Sequence, residues 1–151
     1  MPGYLHPPFS TMNARPASIL LLALLVPLGG CMQDSASYTL PEKNHAITLI
    51  RNQAWPWQDT LDVDVAVARL PECEGSLSIK AVPLAADLLL YQAPDEYAEP
   101  IFILQVGKRS FAVSTQSCRV QEFPSPPADP GRRLGSFREK DGRFTFVPDG
   151  S

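Results

Sequence analysis

The clearest pattern in the chain is the recurrence of a large apolar residue at every second position over 61–68, separated by Asp or Ala. This is the period of a β-strand with one buried face, whereas a helix would spread the same apolar side chains around its circumference. The residues that recur at every second position are Leu61, Val63, Val65 and Val67. The pattern therefore predicts a strand that buries these residues and points Asp62 and Asp64 outward.

A second strong signal is a two-residue turn between apolar segments. Gly107-Lys108 separates residues 101–106 from residues 109–113, and glycine at the first position of such a loop suits a type II′ turn. A hairpin closed by this turn sets Leu104 opposite Phe111. The sequence predicts a β-hairpin with this register and one apolar face.

Residues 134–147 carry the same kind of signal around Asp141-Gly142. A two-residue loop places Phe137 opposite Phe146 but leaves Glu139 on the aromatic face, whereas a three-residue loop would give Glu139 a basic partner and separate the aromatic residues. A buried Phe contributes about 1.5–3 kcal/mol and an exposed ion pair about 0–1 kcal/mol. The two-residue loop is therefore predicted.

Weaker signals complete the fold class. Residues 46–51, 77–82 and 118–123 look like short strands. Residues 84–92 are compatible with a short helix or a buried strand, and the strand is favoured. Seven to eight short strands joined by Pro- and Gly-rich turns predict an all-β domain, either a small antiparallel sandwich or a barrel.

The N-terminal segment has the organisation of an export signal. Residues 18–28 form an apolar run of about eleven residues, the length of a signal-peptide core and too short to span a bilayer. Arg15 precedes this run, and no acidic residue occurs before Asp34. The sequence Leu28-Gly29-Gly30-Cys31 follows, with two small residues directly before a cysteine.

Residues 12–31 resemble the signal peptide and lipobox of bacterial lipoproteins. The resemblance implies that a diacylglycerol is attached to the Cys31 thiol, that residues 1–30 are removed, and that the new amino terminus is acylated, typically with palmitate. Several acyl chains anchor a protein stably, whereas one does so only marginally. The alternative is an ordinary secretory signal that is cleaved elsewhere and leaves Cys31 as a stray thiol.

Two further expectations follow from this resemblance. Residues 1–11 do not fit a lipoprotein signal, so Met12 is interpreted as the true start of the protein. The residue after the cysteine is Met32, whereas an Asp there commonly retains lipoproteins of Gram-negative bacteria in the inner membrane. The resemblance therefore implies the outer membrane, periplasmic face, as the location.

Composition changes along the chain predict its organisation. Residues 32–44 are polar, and residues 124–131 hold four prolines, which favours a stiff, extended connector. The predicted segments are a signal peptide over 1–30, a flexible tether over 31–44, a β domain core over 45–123, the proline-rich connector over 124–131, and a C-terminal hairpin of the same domain over 132–151.

Charge and cysteine content narrow the function classes. The formal net charge of −3 over 151 residues gives no electrostatic case for binding nucleic acid. Cys73 and Cys118 remain after processing, and an exported chain meets an oxidising compartment, so a structural disulfide between them is predicted. The alternative is a pair of reactive or metal-binding thiols. Neither a metal nor a cofactor is expected.

Catalytic constellations are weak in this sequence. His45 is the one histidine after Cys31, and a Ser or Cys nucleophile normally needs a histidine base. Asp59, Asp62 and Asp64 offer a possible acidic dyad for a weak hydrolase, but solvated acids at a strand surface are the simpler interpretation. A protein without enzymatic activity is therefore expected.

Two features are candidate contact surfaces. Trp55 and Trp57 flank Pro56, and two side chains two positions apart on an extended chain point to opposite sides. One indole is therefore expected in the core and the other on the surface. Lys108 and Arg109 form a small basic tip, as a contact site or simply as a soluble turn.

The expected function is that of a membrane-anchored envelope interaction module. The chain after Cys31 also resembles small uncharacterised proteobacterial lipoproteins, which implies no activity. The expected partners are the membrane, through the lipid on Cys31, and an unidentified envelope protein. The alternative is an inhibitor of an envelope-active enzyme such as lysozyme, because small lysozyme inhibitors are also compact, disulfide-linked β-barrel lipoproteins. No inhibitor motif maps onto particular residues here.

Overall fold

A computed structural model describes residues 32–42 and 44–150 of the chain. The predicted signal peptide, the lipobox and the start at Met12 lie outside these residues. The described part is all-β. Its strands are β1 (Met32–Thr39), β2 (His45–Gln53), β3 (Thr60–Arg69), β4 (Cys73–Pro83), β5 (Leu88–Gln92), β6 (Phe102–Val106), β7 (Arg109–Ser114), β8 (Arg119–Glu122), β9 (Arg132–Lys140) and β10 (Arg143–Pro148).

The strands form two antiparallel sheets. The four-stranded sheet has the order β1-β2-β3-β4, and the six-stranded sheet has the order β10-β9-β5-β6-β7-β8. The C-terminal hairpin β9–β10 is thus part of the larger sheet, through pairing of β9 with β5. The all-β prediction is confirmed, with ten strands instead of seven or eight.

The core lies between the two sheets and follows the alternation seen in the sequence. The alternating residues of β3 are all buried, and Asp62 and Asp64 lie on the opposite face. From the larger sheet, Leu90, Leu104 and Phe111 are completely buried against them. Each sheet therefore buries one face, as expected for a sandwich.

Both predicted hairpins have the predicted register. Leu104 pairs with Phe111 across the Gly107-Lys108 turn. Phe137 pairs with Phe146 across the Asp141-Gly142 turn, with ring centroids 5.0 Å apart. Burial of the aromatic face decides the second register.

The prediction of a flexible tether over 31–44 is wrong for residues 32–39, because these residues form the edge strand β1. This strand pairs along its whole length with β2, from Met32 opposite Gln53 to Thr39 opposite Ala46. Ala36 is buried, and the Tyr38 ring lies 4.9 Å from that of Phe146 in the other sheet. Strand structure therefore extends to Met32, the first residue that the structure describes.

The predicted disulfide is confirmed. Cys73, at the start of β4, is bonded to Cys118, which directly precedes β8, with Cα atoms 5.9 Å apart. Edge strands β4 and β8 belong to different sheets, so the bond closes one side of the sandwich. On the other side β1 contacts β10.

The proline-rich connector joins two distant strands of the larger sheet. Residues 123–131 form no regular secondary structure and lead from β8 at one edge to β9 beyond β5. Ile103 points away from the main core by its position in β6, yet it is 0% exposed. Phe123, the first residue of this segment, lies edge-on to Tyr97 of the loop after β5, with ring centroids 6.4 Å apart.

The sandwich has two distinct ends. The Met32 end comprises the start of β1, the loop 54–59, the end of β4 with residues 84–87, and the Gly107-Lys108 turn. The disulfide end comprises the turns 40–44 and 70–72 together with Cys73 and Cys118. These two names are kept below.

Candidate functional site

Trp55 and Trp57 form a stacked, exposed pair at the Met32 end. Their ring centroids lie 5.2 Å apart with an interplanar angle of 19°. Trp55 is 54% exposed and Trp57 is 78% exposed. The prediction that one indole lies in the core is wrong, and both belong to the surface.

Both indoles are exposed because residues 55–58 form a tight turn and not the extended chain that was predicted. The Gln58 N–H donates to the Trp55 carbonyl at 3.1 Å, which closes a turn with Pro56 at its second position. Proline presets the backbone angle that this position needs. The turn reverses the chain and brings both indoles to one side.

Side-chain hydrogen bonds fix this turn to the sheet. The buried Gln53 donates from Nε2 to the Gln58 carbonyl at 2.8 Å. The Trp55 N–H donates to Gln58 Oε1 at 3.3 Å. The two indoles are thus presented by a preorganised loop, which lowers the entropic cost of binding.

A shallow groove of about 580 Å³ lies beside this turn. It is lined by Met32, Gln33, Asn52, Gln53, Ala54, Gln58, Thr60, Leu61, Asp62, Lys80 and Ala81. Lys80 and Ala81 form a β-bulge opposite Asp62, where the pairing shifts between Leu61 and Val63. The groove is therefore shaped by backbone irregularity in β4.

Asp62 holds the bulge together. It accepts hydrogen bonds from Lys80 Nζ at 2.8 Å and from the Ala81 N–H at 3.2 Å. The Lys80 bond, and then the Ala81 bond, lower the pKa of Asp62 below its usual value. Asp64 accepts from Asn52 Nδ2 at 2.8 Å. A general acid needs a raised carboxyl pKa, so this geometry gives the acidic dyad no support.

The two residues of the predicted basic tip, Lys108 and Arg109, make different interactions. Arg109 donates two hydrogen bonds to Glu122 of β8, both at 2.6 Å. This pairing raises the pKa of Arg109 and lowers the pKa of Glu122. Lys108 is exposed at the turn. Arg109 thus takes part in a cross-strand ion pair, and both Lys108 and Arg109 are exposed at the tip.

A second groove, of about 520 Å³, lies between the two sheets near β10. The Arg51 side chain on its wall pairs with Asp34, which raises the pKa of Arg51, chiefly through the hydrogen bond. Arg133 pairs with Asp149 at 3.2 Å. Arg51 and Arg133 thus have carboxylate partners within the protein, and Arg138 also lines the groove.

His45 lies at the disulfide end, away from the tryptophan pair. Its Nδ1 lies 3.2 Å from Oγ1 of the buried Thr115. Within the described ranges, no group of three or more His, Cys, Asp or Glu residues has the arrangement of a metal site. Met32 and Leu84 are also exposed large hydrophobic residues of the Met32 end, and their position beside the tryptophan turn was not predicted from the sequence.

The comparisons add no relatives. Among the residues that the structure describes, no helix has the length and apolar character needed to cross a membrane. Cys31, the predicted lipid attachment site, lies outside those residues. No protein-family model, no curated protein and no solved structure matches this chain.

Proposed function

We propose that this protein is a lipid-anchored envelope protein without enzymatic activity, held at the periplasmic face of the outer membrane by Cys31. The lipobox sequence Leu28-Gly29-Gly30-Cys31 supports the address. The tryptophan pair supports a binding role, because exposed aromatic residues on a rigid support are typical contact anchors.

The observation that carries the proposal is that strand β1 includes Met32, the residue directly after Cys31. Only one peptide bond separates the predicted acylated residue from the folded body. Consecutive Cα atoms are about 3.8 Å apart, so the anchor leaves the sandwich no spacer. The body acts at the membrane surface, and an extended reach into the periplasm is not part of its role.

Metabolic labelling tests the anchor. The full chain, produced in a bacterial host with labelled palmitate, is expected to carry label and to have Cys31 as its first residue by mass spectrometry. Cys31→Ser removes the label, whereas the matched control Cys73→Ser/Cys118→Ser keeps it. An unlabelled wild-type protein with a free thiol at Cys31 would refute the proposal.

The choice of membrane has its own test. Met32→Asp is expected to shift the protein from outer-membrane to inner-membrane fractions of a density gradient, and Met32→Leu is expected to leave it in place. The same distribution for Met32→Asp as for the wild type would remove the argument for the outer membrane.

A second candidate function is inhibition of an envelope-active enzyme such as lysozyme. The protruding, hydrogen-bonded turn with Trp55 and Trp57 favours it, because a rigid loop can enter an enzyme cleft. An assay of lysozyme activity with added protein tests this role. Inhibition that disappears in Trp55→Ala/Trp57→Ala but persists in Leu70→Ala would support it, and full lysozyme activity at excess protein would exclude it.

A further inference from the structure

We propose that the Met32 end carries a membrane-docking surface, formed by Met32, Trp55, Trp57 and Leu84, and that its partner is the phospholipid bilayer itself. The inference rests on the proposed function, because it names the partner of the tryptophan pair in the anchored protein. It adds a second, non-covalent attachment that fixes how the sandwich stands on the membrane.

The exposed large hydrophobic residues are concentrated at one end of the sandwich. Five such side chains are exposed in the described chain. Four of them, the docking residues, lie at the Met32 end, and Leu70 lies at the disulfide end. A contiguous exposed apolar patch marks a site of interaction, whereas single exposed residues need no explanation.

Strand pairing and a backbone hydrogen bond bring these residues together. Met32 pairs with Gln53, directly before the tryptophan turn. The Leu84 N–H donates to the Asp59 carbonyl at 2.9 Å, which ties the loop after β4 to the same turn. Residues 54–57 and 83–85 are all exposed, and they read Ala-Trp-Pro-Trp and Pro-Leu-Ala. The result is an apolar tip built from two loops.

Charged groups surround this tip without entering its sequence. Asp59 and Asp87 supply carboxylates, Lys108 supplies an ammonium group, and Lys80 pairs with Asp62. The arrangement of an apolar tip with a mixed-charge rim matches a bilayer, whose hydrocarbon lies beneath polar headgroups. Tryptophan in particular is enriched at that interface, because its ring is apolar and its N–H is a donor.

The position of Met32 directly after Cys31 favours the bilayer over a soluble partner. Met32 is bonded to Cys31, so lipid chains on that residue enter the membrane directly beside the docking surface. Such a short linkage gives the indoles a very high effective concentration at the bilayer. The bilayer is therefore the favoured occupant.

The chain offers an unusually direct test, because it contains only two tryptophans and both lie in this surface. The lipidated full-length protein is reconstituted into phosphatidylethanolamine/phosphatidylglycerol vesicles that contain lipids brominated in the upper acyl chain. We expect a blue shift of emission, quenching by the bromines, and protection from iodide. Single-tryptophan variants Trp55→Phe and Trp57→Phe are expected to show the effect separately. The blue shift, the quenching and the iodide protection should all persist at high salt, because docking is hydrophobic.

Hydrogen exchange provides a readout that does not depend on fluorescence. Vesicles are expected to slow exchange in residues 54–59 and 84–86, but not in residues 70–72. Trp55→Ser/Trp57→Ser is expected to reduce the docking equilibrium constant, measured from exchange at 84–86, by about tenfold or more, since the burial of two indoles contributes at least that factor. Leu70→Ser, the matched control, is expected to change nothing.

The outcomes separate the docking surface from the anchor. Protein that floats with the vesicles but shows neither quenching nor slowed exchange overturns docking and leaves the anchor intact. Protein that carries no acyl chain by mass, yet is quenched, supports docking and overturns the anchor. Emission that responds to soluble cell-wall glycan fragments and not to vesicles overturns docking.

Discussion

The guanidinium carbon of Arg51 lies 3.9 Å from the centroid of the Phe144 ring, so a cation of one sheet stacks on an aromatic ring of the other. Arg51 also donates to both carboxylate oxygens of Asp34 on the neighbouring strand β1. Its side chain is 14% exposed. One residue therefore joins the edge strand, the centre of the small sheet and the C-terminal hairpin.

Replacement of this residue should weaken the sandwich. Arg51→Met keeps the apolar stem but loses the stacked cation and the bonds to Asp34, and we expect the free energy of unfolding to fall by about 1–3 kcal/mol. Urea unfolding measures the change, with the exposed Arg138→Met as control. In a double-mutant cycle with Phe144→Leu, additive effects would show that the stacking contributes nothing.

The disulfide should contribute strongly to stability. It closes a loop with a sequence separation of 45 residues, which is worth about 3–4 kcal/mol in the chain-entropy model. Cys73→Ser/Cys118→Ser should lower the free energy of unfolding by this amount, and reduction of the wild type should do the same. Equal urea midpoints for the oxidised and reduced wild type would contradict the prediction.

Gly75 should tolerate no side chain. A Cβ at this position would lie 1.8 Å from the carbonyl oxygen of Cys118, a backbone atom that cannot move independently of the disulfide. Gly75→Ala is expected to cost about 1–3 kcal/mol by overpacking. Ser76→Ala, at the exposed neighbouring position, should be close to neutral in thermal unfolding. A wild-type melting temperature for Gly75→Ala would show that β4 and β8 can separate freely.

Gln53 should control the rigidity of the tryptophan turn. Gln53→Ala removes the bond to the Gln58 carbonyl, so we expect faster amide exchange in residues 54–59 and lower tryptophan anisotropy. Exchange in residues 61–67 should change much less, since the central strand keeps its packing. Gln33→Ala, on the neighbouring strand, serves as control, and unchanged anisotropy in Gln53→Ala would mean that the turn is rigid without this bond.

Two surface ion pairs should make stability depend on acid pH. The pKa values of Asp62 and Glu122 are lowered in the folded protein, so their contribution is present above the usual carboxyl pKa of about 4 and is lost as the pH falls through the lowered values. Asp62→Asn/Glu122→Gln should therefore be less stable than the wild type at pH 7, and this difference should disappear at pH 2. A difference that stays constant over this range would show that neither pair contributes. The effect is small for exposed pairs and decreases with salt.

Local patterns were sufficient to predict much of the fold. The alternation in β3 and the Phe137–Phe146 pairing depend on side-chain period and turn chemistry within a few residues. The disulfide was predicted from two cysteines in a chain that the sequence analysis predicts to be exported. The strand pattern and the hairpin register are determined by residues close together in the sequence, whereas the disulfide joins residues with a sequence separation of 45.

The strand β1 and the tryptophan pair depended on distant residues instead. The inward positions of β1 include Asp34, which reads as a surface residue until Arg51 supplies its partner from β2. The indoles were assigned to opposite sides because residues 55–57 were assumed to be extended, and Gln53 and Gln58 impose a turn. Met32 lies near that turn because β1 pairs with β2, and Leu84 lies near it because β3 pairs with β4. Neither pairing is visible in a short stretch of sequence.

The closed sides of the sandwich limit how other chains can join it. Tyr38 of β1 lies against Phe146 of β10, the Cys73–Cys118 bond ties β4 to β8, and Asp34 places an inward charge on an edge strand. Open strand edges are the places where foreign strands add and where copies polymerise. Concentrated solutions of this protein should therefore remain free of fibrils, and any recruitment of other chains must use loops or sheet faces.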